Sequence, residues 1–110
     1  MYERGSVWTA RLPKVGRKPV VLVSDRAVTL ALQPVVARMT SVERPRAMPT
    51  AVSIEPGEVD GLTRRSFVLC HDLMTLGDGD LIEHLGEVPS KRLLEIEDRL
   101  AFVLSLSGAE

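Results

Sequence analysis

The segment Gly16-Arg17-Lys18-Pro19-Val20-Val21-Leu22-Val23-Ser24-Asp25 decides the fold class, because it leads from a basic turn into an apolar run. Proline fixes its own φ and disfavours helix at the residue before it, so Lys18 is expected to be extended. Four consecutive β-favouring residues then predict a strand over Pro19–Asp25 that is buried on both faces. Two cations therefore stand at the start of a rigid element, where they either bind an anionic ligand or are ordinary solvated charges.

Further β-favouring segments lie on both sides of this strand. Val7–Leu12 precedes it across a Pro-Lys-Val-Gly turn, which predicts an antiparallel hairpin. Val35–Thr40 follows it, and the two-residue period of a strand places Arg38 and Thr40 on the same face. Additional strands are predicted at Thr50–Ile54, Ser66–Cys70 and Leu81–Val88, the last with a bulge at Gly86.

Two connecting segments carry weaker signals. Ala27–Leu32 fits either a helical turn or a loop. Ser41–Pro49 contains two prolines and three charges and is predicted to be a loop. Neither segment changes the expectation of a strand-rich chain.

The end of the chain has a helical pattern. Ser90 is the candidate N-cap of a helix that is predicted to run to about Leu106. Lys91 with Glu95, and Glu95 with Arg99, are i,i+4 pairs on its solvent side. The predicted buried stripe is Leu93, Ile96, Leu100, Val103 and Leu104. Several short strands followed by one helix predict a mainly β fold, a small antiparallel barrel with a terminal helix packed on it.

Composition limits the functional class. A chain of 110 residues, 45% of them hydrophobic, suits a single domain over residues 1–110. Only 4% of residues are aromatic, which excludes a surface that stacks many bases on rings. The single cysteine, Cys70, excludes an intrachain disulfide, and no apolar run reaches the ~20 residues of a membrane span. We therefore expect a cytoplasmic protein without a membrane segment.

Charge is unevenly distributed along the chain. Residues 1–65 carry eleven Lys/Arg against six Asp/Glu, whereas residues 66–110 carry three against nine. One face can therefore attract a polyanion although the net charge is only −1. Ordinary surface charge that happens to be unevenly sorted explains the same numbers.

The residues that carry chemistry favour phosphodiester binding without a metal. No His/Cys/Asp/Glu spacing matches a metal site and no Gly-rich phosphate loop is present, so no metal or cofactor is predicted. Cys70 lies in an apolar strand and is expected to be a buried hydrophobe. Cations, hydroxyls and an imidazole can stabilise the transition state of RNA cleavage, in which the RNA supplies its own 2′-hydroxyl nucleophile. The candidates, all at predicted strand ends, are Arg17, Lys18, Thr40, Ser41 and His71.

Several short motifs, in order along nearly the whole chain, resemble the MazF/PemK family of bacterial toxin ribonucleases. The opening segment resembles the family's G-x-R-P-V-V-V-V-S-N/D, and Ile82–Val88 before the capped helix resembles its I-G-x-(V/L) ending. The other matching motifs are Arg4-Gly5-Ser6-Val7-Trp8 (family RGD-(I/V)-W), Arg38-Met39-Thr40-Ser41 (a strand ending in Thr-Thr or Thr-Ser), Met48-Pro49-Thr50-Ala51-Val52 (a proline-led strand) and Cys70-His71-Asp72-Leu73-Met74-Thr75-Leu76 (family C-H-Q-(I/V)-R-T-L).

The resemblance implies a PemK-like, SH3-type barrel that forms a homodimer. It also implies a metal-independent toxin that cuts single-stranded RNA by 2′-hydroxyl attack and is restrained by a cognate acidic antitoxin. The family's arginine and threonine fall on Lys18 and Thr40, and His71 lies where some members place an aspartate that assists proton transfer. The implied RNA-binding residues are Lys14, Arg17, Arg38 and Ser41.

The chain departs from the family pattern at Lys18. Lysine offers one compact charge where arginine would offer a planar fork to two phosphate oxygens. Lysine loses a proton more readily, however, and Arg17 is positioned one residue earlier to supply a guanidinium in its place. His71 has an alternative role as well, a structural hydrogen bond.

Other departures remove positive charge near the expected groove. The turn between the first two strands is shorter than in the family, which predicts a more open groove. Asp72 and Met74 replace the family's glutamine and arginine, and Asp80 stands where a basic residue is common. These changes are expected to weaken phosphate binding.

Two alternatives to an active nuclease remain at this point. One is a toxin of the same barrel fold that poisons DNA gyrase through its terminal helix. An exposed tryptophan at the end of that helix would support this function, but Trp8, the only tryptophan, lies in the first strand. The other is a catalytically weakened homologue that only binds RNA or antitoxin.

Overall fold

A computed structural model describes residues 2–42, 48–77 and 79–106. In this part of the chain, six antiparallel strands form one sheet in the order β4-β5-β3-β2-β1-β6. The elements are β1 (Ser6–Leu12), β2 (Gly16–Leu22), α1 (Arg26–Ala31), β3 (Val35–Thr40), β4 (Ala51–Ile54), β5 (Ser66–Thr75), β6 (Leu81–Glu87) and α2 (Ser90–Val103). The predicted class, mainly β with a C-terminal helix, is confirmed.

The β1–β2 hairpin is confirmed, but β2 begins and ends three residues earlier than predicted. Its first residue, Gly16, pairs with Leu12, so the turn is limited to residues 13–15, with Lys14 at φ 65°. Arg17 and Lys18 therefore lie inside a paired strand and not in a turn before it. Because successive residues of a strand point to opposite faces, pairing with β1 directs the Arg17 and Lys18 side chains to opposite faces of the sheet.

Both faces of the sheet are buried around β2, as the apolar run predicts. Val21 belongs to one core and its neighbours Val20 and Leu22 to another, and all three are fully buried. The first core lies under α2 and contains Val7, Val21, Ala37, Met39, Val52, Ile54, Val59, Val68, Cys70, Val88 and Ile96. The second core contains Trp8, Ala10, Leu12, Val20, Leu22, Val36 and Leu76.

Bulges interrupt the regular pairing in β5 and β6. β5 is longer than predicted because it pairs with all of β3, yet Ala37 faces Leu73 while the next residue, Arg38, faces Leu69. The β5 residues between these two pairs, which include His71, form a bulge. The predicted bulge at Gly86 is confirmed by a register shift against β1.

Helix α2 differs from the prediction in its caps and ion pairs. Pro89 is the N-cap residue and makes no side-chain cap bond, so Ser90 is the first helical residue. The helix ends at Val103, and Leu104 is 53% exposed rather than part of the buried stripe. The predicted ion pairs of Glu95 with Lys91 and Arg99 are wrong: Glu95 pairs with Arg92, and Arg99 pairs with Asp98.

The two weakly predicted connections have different outcomes. The ambiguous segment contains the short helix α1, whose N-cap Asp25 accepts a hydrogen bond from the Ala27 backbone N–H. Of the predicted loop over Ser41–Pro49, residues 43–47 lie outside the described residues. Within the described ranges, neither helix is long and apolar enough to cross a membrane.

Candidate functional site

A groove of about 620 Å³ opens beside the end of β3. This volume falls within the ~300–1,000 Å³ of typical ligand sites. Its walls come from β2, the end of β3 with the residues that follow, and the connection between β4 and β5. The polar residues that line it are Lys18, Arg38, Thr40, Ser41, Thr63, Arg64 and Ser66.

Strand register brings Lys18 and Thr40 together. Val20 pairs with Arg38 as the last paired position of β2 and β3 on this side. Continuing that antiparallel register by two residues places Lys18 across from Thr40 on the same face of the sheet. Both residues line the groove, so the structure unites these two predicted catalytic residues.

The described lining of the groove is basic. It includes Lys18, Arg38 and Arg64, and none of the lining residues is a carboxylate. Arg38 Nη1 lies 3.5 Å from Asp72 Oδ2. Arg38 therefore has an ion-pair partner, Asp72, which is not one of the lining residues. Among the described residues, Lys18 and Arg64 have no ion-pair partner. The groove therefore favours an anionic ligand.

Thr40 presents an oriented hydroxyl. Its Oγ1 accepts a hydrogen bond from the Val42 backbone N–H at 3.2 Å. This bond uses a lone pair and leaves the hydroxyl proton free to be donated to a ligand. Ser41, which was predicted to bind RNA, also lines the groove.

His71 does not line the groove. It lies on the β5 bulge, where its Nδ1 is 2.7 Å from Thr50 Oγ1, and its side chain is exposed. The neighbouring Asp72 reaches Arg38, so the bulge contacts the groove through that ion pair. The contact with Thr50 is the structural hydrogen bond that the sequence left open as an alternative.

Arg17 and Lys14 are not among the groove residues either. Arg17 pairs with Arg11 in the β1–β2 hairpin and, one residue from Lys18, points to the opposite face. Lys14 lies in the hairpin turn and is exposed. Of the seven predicted site residues, four line the groove: Lys18, Arg38, Thr40 and Ser41.

Two lining residues, Thr63 and Arg64, were not predicted from the sequence. The sequence contains two adjacent arginines, Arg64 and Arg65, before β5, but its hydrophobic pattern does not indicate which of them faces a ligand. Arg65 Nε is 2.9 Å from Glu55 Oε1 and lines a different surface depression, whereas Arg64 lines the groove. The path of the β4–β5 connection makes this distinction.

Cys70 is not positioned for chemistry. Its side chain is fully buried in the first core, and burial raises the pKa of its thiol to about 11. The thiolate required of a nucleophile is therefore scarce at neutral pH. The described ranges also contain no group of three or more His, Cys, Asp or Glu that could hold a metal ion.

Known proteins of the same kind match nearly the whole chain. Residues 3–104 match the family of PemK-like, MazF-like toxins of type II toxin–antitoxin systems. The probable endoribonuclease MazF5 of Mycobacterium tuberculosis is 32% identical over 94 residues, which cover 84% of each chain. The resemblance stated from the motifs is thereby confirmed.

Solved structures agree with this match. A mycobacterial endoribonuclease in complex with its cognate antitoxin is 32% identical, with a TM-score of 0.80, and the match covers 94% of this chain and 95% of that one. A chain of the MazE–MazF complex of Deinococcus radiodurans is 24% identical with a TM-score of 0.71, covering 96% and 95%, and shows the shared fold. This chain therefore belongs to the PemK-like, MazF-like family of toxins of type II toxin–antitoxin systems.

Proposed function

We propose that this toxin is an endoribonuclease that cleaves single-stranded RNA in the groove between Lys18 and Thr40. The observation that carries the proposal is the combination of unpaired cations and an oriented hydroxyl in a groove whose described lining has no carboxylate. The mycobacterial relatives described as endoribonucleases supply the reaction class.

In the proposed reaction, the ribose 2′-oxygen attacks the adjacent phosphorus and the bond to the 5′-oxygen of the next nucleotide breaks. The 2′-hydroxyl loses a proton and the departing 5′-oxygen gains one, which leaves a 2′,3′-cyclic phosphate and a 5′-hydroxyl. Lys18 and Arg38 offset the charge that grows on the phosphate oxygens, and Thr40 donates its hydroxyl proton to one of them. His71, which lies outside the groove on the β5 bulge, remains the candidate for proton transfer.

The lysine at position 18 changes how the phosphate is held. Its ammonium acts as a point charge, so it fixes the phosphate less rigidly than the fork of an arginine. Arg38 supplies a guanidinium group in the same groove. It can provide the bidentate contact that Lys18 lacks.

We further propose that the toxin works as a homodimer in the cytoplasm and is inhibited by an acidic segment of a cognate antitoxin. The basic groove attracts such a segment for the same reason that it attracts RNA, because both are anionic. Relatives solved with their antitoxins support an antitoxin partner for this chain.

The gyrase alternative has no support from the family description or from the named relatives. Trp8 is only 4% exposed, and its indole N–H donates to Ser6 Oγ at 3.0 Å in the interior. It is therefore unavailable for docking on another protein.

The test combines end-group chemistry with a nucleophile control. Purified toxin is incubated with single-stranded RNA in the presence of EDTA, and the ends of the products are identified. We expect 5′-hydroxyl and 2′,3′-cyclic phosphate ends, and no cleavage by Lys18→Ala/Thr40→Ala or of RNA with 2′-deoxyribose at the cut site. Absence of cleavage of messenger, ribosomal and transfer RNA by the wild type would refute the proposal and leave the binding-only homologue.

A further inference from the structure

The connection between β4 and β5, residues 55–65, forms a firmly held wall of the groove. Val59 is 1% exposed and packs in the first core. The Gly61 backbone N–H donates to the Leu85 carbonyl oxygen of β6 at 2.9 Å. The Glu58 carboxylate accepts from the Glu55 backbone N–H at 2.8 Å and from Arg92 Nε of α2 at 3.0 Å. Core, sheet and helix each fix this wall at one point.

Gly61 allows the wall to approach the sheet closely. A Cβ atom at this position would lie 2.7 Å from Leu85 Cβ and 2.9 Å from the Leu85 carbonyl oxygen. A side chain of any size would push the connection outward. The next residues along the chain, Leu62, Thr63 and Arg64, all line the groove.

The backbone of Arg64 is anchored while its side chain is available. The buried Ser66 donates its hydroxyl to the Arg64 carbonyl oxygen at 3.3 Å. The guanidinium is exposed and has no ion pair with another described residue, in contrast to the adjacent Arg65, which pairs with Glu55. An arginine held at its backbone but unpaired at its head group is suited to bind a phosphate.

Arg64 belongs to a different wall from the reaction residues. Lys18 and Thr40 come from β2 and β3, and they face each other across the strand register described above. If Lys18 and Thr40 hold one phosphate of an RNA strand, Arg64 is left to contact a neighbouring phosphate of the same strand. The groove volume of about 620 Å³ has room for more than one phosphate.

We propose that Arg64 binds a phosphate of the RNA adjacent to the scissile one and so holds the strand in the groove while it is cut. This inference rests on the proposed function, since it requires RNA in the groove. Arg64 positions the substrate by this contact and takes no part in the proton transfers.

The test measures how salt weakens RNA binding. The probe is a short, mixed-sequence, single-stranded RNA with 2′-fluoro groups, which the enzyme cannot cleave because the nucleophile is missing. For single strands, each phosphate contact contributes about 0.7 to the slope of log K against log salt. We expect Arg64→Ala to reduce the magnitude of the slope by about 0.7, Arg64→Lys to retain the slope, and Arg65→Ala to leave it at the wild-type value.

Arg65→Ala is the matched control because it removes the same charge from the neighbouring residue. Equal slopes for Arg64→Ala and Arg65→Ala would overturn the inference, and so would an unchanged slope for Arg64→Ala. If circular dichroism shows that Arg64→Ala is unfolded, the salt slopes of Arg64→Gln and Arg65→Gln are compared instead, with the same expected difference. If the wild-type protein binds the probe but cuts no natural RNA, the proposed function is refuted. The salt slope of Arg64→Ala then still decides whether Arg64 contacts a phosphate of the bound RNA.

Discussion

Gly61→Ala is predicted to destabilise the protein and to open the groove. The added Cβ would lie 2.7 Å from Leu85 Cβ and 2.9 Å from the Leu85 carbonyl oxygen. That oxygen is held in β6 and cannot turn aside as a flexible side chain would. Overpacking of this kind costs about 1–3 kcal/mol, and weakening the Gly61–Leu85 hydrogen bond costs about 1 kcal/mol more. We therefore expect the free energy of unfolding to fall by about 2–4 kcal/mol.

Urea denaturation measures this loss, and Gly77→Ala provides the matched control. A Cβ at Gly77 would meet only Asp80 Oδ2, at 3.4 Å, which is an ordinary contact. We expect Gly77→Ala to stay within about 0.5 kcal/mol of the wild type, as most substitutions away from packed sites do. If Gly61→Ala is as stable as Gly77→Ala, the close approach of the connection to β6 is wrong, and with it the argument for a fixed groove wall.

Three further predictions concern individual side chains. Hydrogen bonds from the Glu55 backbone N–H and then from Arg92 lower the pKa of Glu58, so the stability they provide is present above pH 4.5, the ordinary value, and is lost as pH falls through the folded pKa. Glu58→Gln should therefore flatten the pH dependence of unfolding below pH 4.5, and an unchanged profile would exclude this role. Burial raises the pKa of Cys70 from 9.0 to about 11, so the native thiol should react with iodoacetamide at least about 100-fold more slowly than the unfolded chain at pH 8; equal rates would place it at the surface. His71→Ala should lower the cleavage rate by about 10²-fold or more if His71 transfers the proton, whereas a small fall in stability with an unchanged cleavage rate would limit His71 to the hydrogen bond with Thr50.

The sequence predicted the elements whose burial pattern is simple. Val20–Leu22 is buried on both faces, as a continuous apolar run requires. The bounds of Val35–Thr40 were predicted correctly, since its buried and half-buried residues alternate from Ala37 to Thr40 and a loop follows it. Lys18 and Thr40 were proposed from their places at the ends of these strands and from the family motifs, before their register was known.

The remaining features depend on contacts between distant segments. The start of β2 was missed because pairing with β1, not local propensity, extends it back to Gly16. The N-cap was misassigned because Pro89 fits that position without a side-chain bond. Arg64 was missed because its direction follows from the anchors at Val59 and Gly61, which no periodicity in the connection reveals.

The most direct test of the account compares Lys18→Ala with Arg17→Ala in single-turnover cleavage of the same RNA. Both changes remove one positive charge from β2, but only Lys18 lines the groove. The account predicts a fall of about 10²–10³ in the rate for Lys18→Ala, comparable to the loss of one donor to a developing oxyanion, and less than about tenfold for Arg17→Ala. Equal losses, or a greater loss for Arg17→Ala, would contradict it.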